Sequence, residues 1–462
     1  MFNFKQIQFL AGLLFIVFVM GTAVFAQEAA QVLSLEDCIN IALEKNSTLR
    51  VSRLSDEAAD KDVLGSYSGI LPSISASASK GKTESGIREY LGDVLVGQDS
   101  AGRAIFEERV ITQAATERES NNAALSVNQN IFDGGIWWNS IRKAKTDKKS
   151  AEYSLLSAKN DVILQVEQAY FNLNKQIKLL EVYEVAVKRS QGQLDRTEKM
   201  YELGATAQLD VFQSRVNLGN DRISLLQQKN AVDQAKKNLN LVMGRDPFTP
   251  LQVSSEINLE IAIPESNELI LQAFDNQPEI MKNKSDIKSR ELSISMAKGQ
   301  FYPRIYGRIN YSRDNEDLSR VYSNYSRNYS INYGIGISLD IFSGFSDYVS
   351  VQKAKIAEKT AKENFEEYKR NLASEIEQYY ANYKSYLDII EINKQNLEAA
   401  NEEVRLAEER YQIGAGTALE VREAQVNLTR AEEILIAAQF NARIVLAQLD
   451  NGLGLTYKKY EE

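Results

Sequence analysis

The sequence predicts a mostly α-helical chain with a transmembrane β portion, built from two structural repeats. Three observations predict it. Proline is scarce: at the usual ~5% a chain this long would carry roughly 23 prolines, and this one has six in 462 residues. Proline breaks helix interiors, so the proline-free tracts 73–246 and 304–462 leave room for very long helices. Four short segments alternate apolar and polar residues, each about ten residues long, the length a tilted strand needs to cross a bilayer. Finally, a shift of 210 residues lays Ile131–Gly244 on the second half without a gap.

Composition narrows the chemistry. There is no histidine, and Cys38 is the only cysteine. Histidine-based acid/base work, Ser–His and Cys–His nucleophiles and most zinc, copper or haem sites are therefore excluded. An enzyme is not expected, and no cofactor or metal is implied. A net charge of −9 leaves no electrostatic footprint for nucleic acid.

Residues 1–26 read as a secretory signal: Lys5, an apolar run from Phe9 to Met20, and Val24-Phe25-Ala26 before Gln27. The strictly apolar core is shorter than the ~20 residues of a membrane anchor. No other segment is apolar enough for a transmembrane helix, so any further membrane contact must be made by strands.

The repeats run 27–244 and 267–454, joined by the turn-rich linker 245–266 and followed by a tail, 455–462. Ile131-Phe132-Asp133-Gly134 falls on Ile341-Phe342-Ser343-Gly344, and Tyr201-Glu202-Leu203-Gly204-Ala205 on Tyr411-Gln412-Ile413-Gly414-Ala415. Upstream the offset becomes 231, pairing Pro72 with Pro303, so the first repeat carries 21 extra residues between Pro72 and Ile131. A long internal period means one supersecondary unit used twice.

Each repeat opens with a helix, 35–68 in the first, started by the capping pair Ser34 and Asp37. Its counterpart starts after Ser266 and is broken near Pro278. A β-hairpin follows, 70–133 and then 302–343. Ile74, Ala76 and Ala78 interleave with serines; Leu125, Val127 and Ile131 with Ser126, Asn128 and Asn130. In the second repeat Ile305, Ile309 and Tyr311 alternate with Arg308, Asn310 and Ser312, and Ile335, Ile337, Leu339 and Ile341 with Gly336, Ser338 and Asp340. A solvent-facing hairpin on a globular core would show the same alternation, but little else in the chain supplies such a core. Residues 82–121 are expected to form a long outer loop, and Asp314-Asn315-Glu316-Asp317 a solvated one. Trp137 and Trp138, the only tryptophans, stand at a strand end, and seven of 22 tyrosines, Tyr302 among them, lie in 302–333. Amphipathic aromatics gather at membrane interfaces.

Next come helix pairs, 136–202 with 207–243 and 346–412 with 417–452. Across 354–411 apolar or small residues recur every three or four positions, the pattern of sustained helix packing. At 1.5 Å per residue, 67 residues span ~100 Å. Gly204 and Gly414 end the long helices, and Thr206 and Thr417 are placed to cap the next ones.

Four strands cannot close a barrel, and an open sheet edge cannot sit in lipid. The chain must oligomerise, to 8, 12 or 16 strands for two, three or four copies. The opening Leu35-Glu36-Asp37-Cys38-Ile39-Asn40-Ile41-Ala42-Leu43-Glu44-Lys45-Asn46, the Leu71-Pro72 and Tyr302-Pro303 strand entries, the Phe-x-Gly turns at 132 and 342 and the paired Tyr-x-x-Gly tips resemble the outer-membrane efflux protein family of the TolC type. The resemblance runs from about Leu35 to Gly454. It implies a homotrimer with a 12-stranded barrel in the outer membrane of a Gram-negative bacterium and an α-helical tunnel of 12 long antiparallel helices in the periplasm. It also implies docking to a periplasmic adaptor (membrane fusion) protein at the tips Gly204, Ala205, Thr206, Gly414, Ala415 and Gly416. An inner-membrane pump of the RND, ABC or MFS type would supply the energy, in drug efflux or type I secretion.

In that family polar contacts between inner helices close the periplasmic entrance, and a ring of acids lines it. Asp210 and Tyr411 match its linking pair, and Glu420 and Glu423 the acidic ring. Gly416 stands where an arginine link is found and Leu209 where a threonine is, so a different latch is expected. Each acid has a plainer explanation: Glu420 as the capping partner of Thr417, Asp210 as a favoured acid in a first helical turn. A periplasmic coiled-coil adaptor or a structural envelope protein is the alternative, and leaves the four strands unexplained.

Overall fold

The computed structural model describes residues 32–254 and 263–460. The predicted signal 1–26 and part of the 245–266 linker lie outside the described residues. The chain order is β1 (Val32–Leu33), α1 (Leu35–Lys45), α2 (Ser47–Ser66), β2 (Ser73–Ser85), β3 (Arg88–Gln98), β4 (Ala104–Gln113), β5 (Thr116–Asp133), α3 (Ile136–Glu202) and α4 (Gln208–Val242). After β6 (Gln252–Val253) follow α5 (Ser266–Asn276), α6 (Pro278–Gly299), β7 (Arg304–Asn315), α7 (Leu318–Tyr322), β8 (Ser330–Ser338), α8 (Ser346–Gln412) and α9 (Ala418–Gly452). No helix among the described residues is long and apolar enough to cross a membrane.

The opening helix is not continuous over 35–68. Asn46 adopts an extended backbone and ends α1, its N–H bonded to Ala42 O. Its side chain then serves both neighbours: Nδ2 donates to Val242 O at 2.8 Å and Oδ1 accepts from Leu49 N at 3.2 Å. The second repeat makes the donor half of this arrangement with Gln277, whose Nε2 donates to Asn451 O and Gly452 O. The break therefore lies at equivalent places in both repeats and does not require the proline. The Ser34–Asp37 capping box forms as expected, in both directions.

Compact units do not follow the repeats. Among the described residues one comprises 32–51, 156–254, 263–277 and 372–460 and the other 52–155 and 278–371, so each draws on both repeats. In the first, the seam of α8 is buried at Leu372, Ile376, Tyr380, Tyr383, Ile390, Ala400, Ala407 and Tyr411. The tail adds a local anchor: Tyr457 N donates to Asn160 Oδ1 at 2.8 Å, and Tyr460 Oη donates to Glu167 Oε1 at 2.8 Å.

Glu167 is buried, and burial raises its carboxyl above the usual 4.5. A raised folded-state pKa means the folded chain holds this proton more tightly than the unfolded one, so acidification from above that pKa stabilises the fold. Glu167→Gln keeps an oxygen acceptor for Tyr460 and removes the charge. The expected result is a higher thermal midpoint than native at pH 8, with the gap closing towards pH 5. A gap that is constant with pH would mean the residue matters only through packing.

In the second unit four strands form one antiparallel sheet in the order β2-β5-β7-β8. The predicted outer loop 82–121 is mostly strand: β2 and β5 stay paired out to Ser85 and Thr116, and β3 and β4 pair as a separate two-stranded sheet. Thr, Val, Ile, Tyr and Phe in this stretch favour pairing, and the turn at Gly102 reverses it with φ +76°. In the last strand pairing stops at Ser338, short of the predicted Leu339 and Ile341.

Candidate functional site

Register decides what the sheet can do. Ile74 lies opposite Val127 and Ala76 opposite Leu125; Val127 lies opposite Ile309 and Leu125 opposite Tyr311; Ile309 in turn faces Tyr333, Tyr311 faces Ile331 and Ile305 faces Ile337. Side chains alternate along a strand, so these residues share one face. Ile74, Ile335 and Ile337 are each about 70% exposed (69%, 74% and 70%), an apolar surface that water alone would penalise. The other face is polar: Ser73, Ser75 and Ser77, then Asn128 and Ser126, then Arg308 and Asn310. There Ser126 Oγ donates to Asn310 Oδ1 at 2.6 Å and Arg308 Nε to Asn128 Oδ1 at 3.1 Å. Lipid on one side and water on the other is the demand that a channel wall meets.

Both ends of the sheet carry aromatics. At one end Trp137 and Trp138 meet edge to face at 5.5 Å, with Trp138 and Tyr302 exposed. Asp133 accepts from Trp137 N at 2.9 Å and so starts α3; Ser343 accepts in the same way from Asp347 N at the start of α8. At the other end Tyr311 stacks on Tyr329 at 6.0 Å. There Asp317 caps α7 through Ser319 N, and Arg313, buried, donates to the carbonyls of Arg320, Ser323, Asn324 and Arg327. The predicted solvated segment is indeed exposed at Asp314, Glu316 and Asp317, and the turn that follows it, 320–327, is ordered around this one arginine.

The helix tips of the first unit are a separate site. Gly204 and Gly414 both have φ +73°, and the following residue bonds back into the last turn: Ala205 N to Met200 O at 2.8 Å, Ala415 N to Arg410 O at 2.9 Å. Leu203 and Ile413, equivalent in the repeats, are 84% and 80% exposed. The capping expectation holds for Thr417, which accepts from Glu420 N at 3.2 Å, and fails for Thr206. Ala207 is the N-cap of α4 without a side-chain bond, and the Thr206 hydroxyl donates to Asp210 Oδ2 at 2.5 Å. The helix is capped one residue beyond the threonine, so the hydroxyl is left to donate to the carboxylate in the first turn.

The gate residues are placed as follows. Glu420 and Glu423 are exposed. Glu420 turns its carboxylate towards Arg410, 3.8 Å away, rather than back to the cap. Tyr411 is buried among Ala407, Val421 and Ala424, and its hydroxyl has no hydrogen-bond partner among the described residues. Its expected mate Asp210 is occupied by Thr206. Two ion pairs that the sequence did not disclose tie the helix hairpins together instead. Arg422 grips Asp221 with both terminal nitrogens, at 2.8 and 2.9 Å, joining α9 to α4. Arg189 holds Glu432 at 3.0 and 3.2 Å, joining α3 to α9. Both pairs are largely shielded, with side-chain exposures of 15–24%. A faint signal was available: Arg422 sits between Val421 and Ala424 on the packed stretch of its helix, where a surface arginine is out of place.

A two-faced antiparallel sheet with aromatic ends, carried by a chain of long helical hairpins, defines a channel-forming outer-membrane protein. The comparisons agree. The chain belongs to the outer membrane efflux protein family, whose model matches residues 38–245 and 269–455. It is similar to the probable efflux pump outer membrane protein TtgC of Pseudomonas putida, 21% identical over 91% of this chain and 83% of that one. The outer membrane protein TolC of Vibrio cholerae is 20% identical over 94% and 92%. The crystal structure of the Campylobacter jejuni CmeC outer membrane channel shares the fold, with a TM-score of 0.76 at 18% identity over 92% and 88%. This is an efflux channel of the Gram-negative outer membrane, not an enzyme.

Proposed function

We propose that three copies close a 12-stranded barrel and a 12-helix periplasmic tunnel, through which cargo passes passively from an inner-membrane pump and a periplasmic adaptor. The supporting observation is the sheet: four antiparallel strands with β2 and β8 as unpaired edges and one apolar face. Such edges are tolerated in lipid only when another copy pairs with them. The adaptor docks at the tips Gly204, Ala205, Thr206, Gly414, Ala415 and Gly416, where Leu203 and Ile413 project. Trp137, Trp138 and Tyr302 anchor the periplasmic membrane interface. The cargo is small molecules or polypeptides, and the polar lining names no narrower class.

Native mass measurement in detergent is expected to give three chains; a conducting monomer or dimer would sink the trimer. Glu420 and Glu423 each occur three times around the entrance, and such a ring concentrates cations. The double change Glu420→Gln, Glu423→Gln is expected to lower cation-over-anion selectivity, read as a reversal potential across a salt gradient in planar bilayers, at unchanged trimer yield. Unaltered selectivity with a loss of stability would give both acids a structural role at the helix end and overturn the ring.

The entrance latch is the Arg422–Asp221 pair, with Arg189–Glu432 behind it, in place of the linking pair of the family. With Tyr411 enclosed in an apolar cluster and Asp210 engaged by Thr206, the two shielded ion pairs are the charged contacts that support a hold between the hairpins.

A further inference from the structure

We infer that the β3–β4 ribbon is a homotypic cap: in the assembled channel the pore-side faces of three ribbons pack on one another over the outer mouth. This rests on the trimer proposed above.

The argument begins with register. Pairing runs from Ser73 opposite Asn128, through Ser85 opposite Thr116, to Arg88 opposite Gln113 and Leu95 opposite Phe106, and the two strands stay in step across the break between the sheets. Because side chains alternate, the serine face that lines the pore continues, along the twist of the ribbon, into Ile87, Leu91 and Leu95 with Val110 and Phe106. The opposite face, apolar within the membrane, continues into Lys80, Lys82, Glu84 and Arg88 with Glu119, Glu117 and Arg109. Lys82 pairs there with Glu117 at 2.7 Å and Lys80 with Glu119 at 3.6 Å.

The polarity of the hairpin therefore inverts where it leaves the membrane. Below, the outer face is apolar and the pore face polar; above, the outer face gains ion pairs and arginines beside Tyr90 and Ile111, and the pore face gains the exposed apolar rungs Leu91–Val110 and Leu95–Phe106 with acids between them. Leu91, Leu95, Phe106 and Val110 are 56–63% exposed within one chain. On the outer face Ile111 is partly covered, lying over Gly92 with Cδ1 only 2.7 Å from where a Cβ would be, and Tyr90 is the large side chain left exposed there, at 53%. A two-stranded ribbon alone is at best marginally stable in water, so the exposed stripe calls for a partner on the pore side.

Geometry favours a second copy of the same chain. Twelve strands ~4.8 Å apart and tilted by ~40° give a barrel radius on the order of 12 Å. An 11-residue strand extends ~36 Å, so ribbons rooted on that rim reach the axis with length to spare. An anionic lipid surface is disfavoured because Asp93 stands opposite Glu108 between the apolar rungs, and neither has an ion pair among the described residues. In the assembly that acidic level stays hydrated, and the rungs Leu91–Val110 and Leu95–Phe106 make the contacts. The second repeat lacks the 21 extra residues, which leaves one ribbon per chain to meet at the centre.

The test uses the full-length channel in detergent and in planar bilayers. Native Cys38 is buried, so new thiols report alone. On mild oxidation Leu95→Cys and Phe106→Cys are expected to give disulfide-linked dimers within the trimer, whereas Tyr90→Cys on the outer face gives none. Deleting 86–115 is expected to keep the mass of three chains and raise single-channel conductance about twofold or more as the narrowest outer section widens. No cross-link at either pore-face position in a protein that still has the mass of three chains, or equal cross-linking from Tyr90→Cys, overturns the cap. Unchanged conductance in a trimeric deletion variant does the same. A native mass other than three chains overturns the trimer reading and the cap together.

Discussion

Arg422→Ala is expected to raise the open fraction of the reconstituted channel at least tenfold, with trimer yield little changed. The guanidinium makes two charge-assisted hydrogen bonds to Asp221, at 2.8 and 2.9 Å, and hydrogen bonds to charged groups contribute about 1.5–3 kcal/mol each in net terms. Partial exposure discounts this, since solvent screens what it reaches. Even ~1.4 kcal/mol per protomer shifts an equilibrium tenfold, and three protomers opening together would multiply the effect. The exchange Asp221→Arg with Arg422→Asp separates a latch from a packing role. It restores opposite charges on the same two helices and is expected to return the conductance towards native, whereas Asp221→Arg alone places two cations side by side and opens the channel further. If the single variants conduct like the native protein, or the exchange fails to rescue a gain, the pair is structural and the entrance is latched elsewhere.

How far the sequence foretold this architecture depends on whether the deciding interaction was local. The long helices were readable because their seam repeats every three to four residues, and their ends because Gly204 and Gly414 supply the left-handed turn that closes a helix. The four membrane strands were readable because lipid on one side and water on the other impose strict alternation. The ribbon was not. Above the membrane both faces mix charged and apolar residues, so the alternation that marked Ile74–Ala78 fades although pairing continues through Leu95. The break at Asn46 is not legible in the sequence because nothing local demands it: an asparagine after a lysine is unremarkable until its amide meets Val242 O, 196 positions away. The same holds for the latch. Asp221 and Arg422 are 201 residues apart, and each alone looks like an ordinary charge on a helix. Asp210 and Tyr411 matched a motif, yet their surroundings, Thr206 beside the one and an apolar cluster around the other, gave each something else to do. Motif position carries over between distant relatives more readily than the partner of a side chain does.

The largest loss of stability is expected at Gly244, and its contrast with Gly204 separates two causes that usually travel together. Both have φ +73°, a conformation that costs a residue with a Cβ about 1 kcal/mol. At Gly204 nothing lies within 4 Å of an added Cβ, so Gly204→Ala should cost only that. At Gly244 the Cβ would sit 2.5 Å from Lys45 O and 2.7 Å from its carbon. That carbonyl belongs to the backbone where Asn46 breaks the opening helix, and it cannot swing aside as a side chain would. Relief requires shifting the turn that Asn46 and Val242 hold together, so Gly244→Ala is expected to cost roughly 3 kcal/mol or more. Gly454, its equivalent in the second repeat, has φ +71° and meets Asn276 O at 2.7 Å, and should behave alike. The readouts are trimer yield from outer membranes and the thermal midpoint in detergent. Gly204→Ala should assemble with a small drop in midpoint, and Gly244→Ala and Gly454→Ala should assemble poorly. Equal behaviour of all three variants would mean that backbone strain alone sets the cost and that the helix break can move. A severe effect at Gly204 and a mild one at Gly244 would show that the close approach of Lys45 is not needed to hold the two elements together.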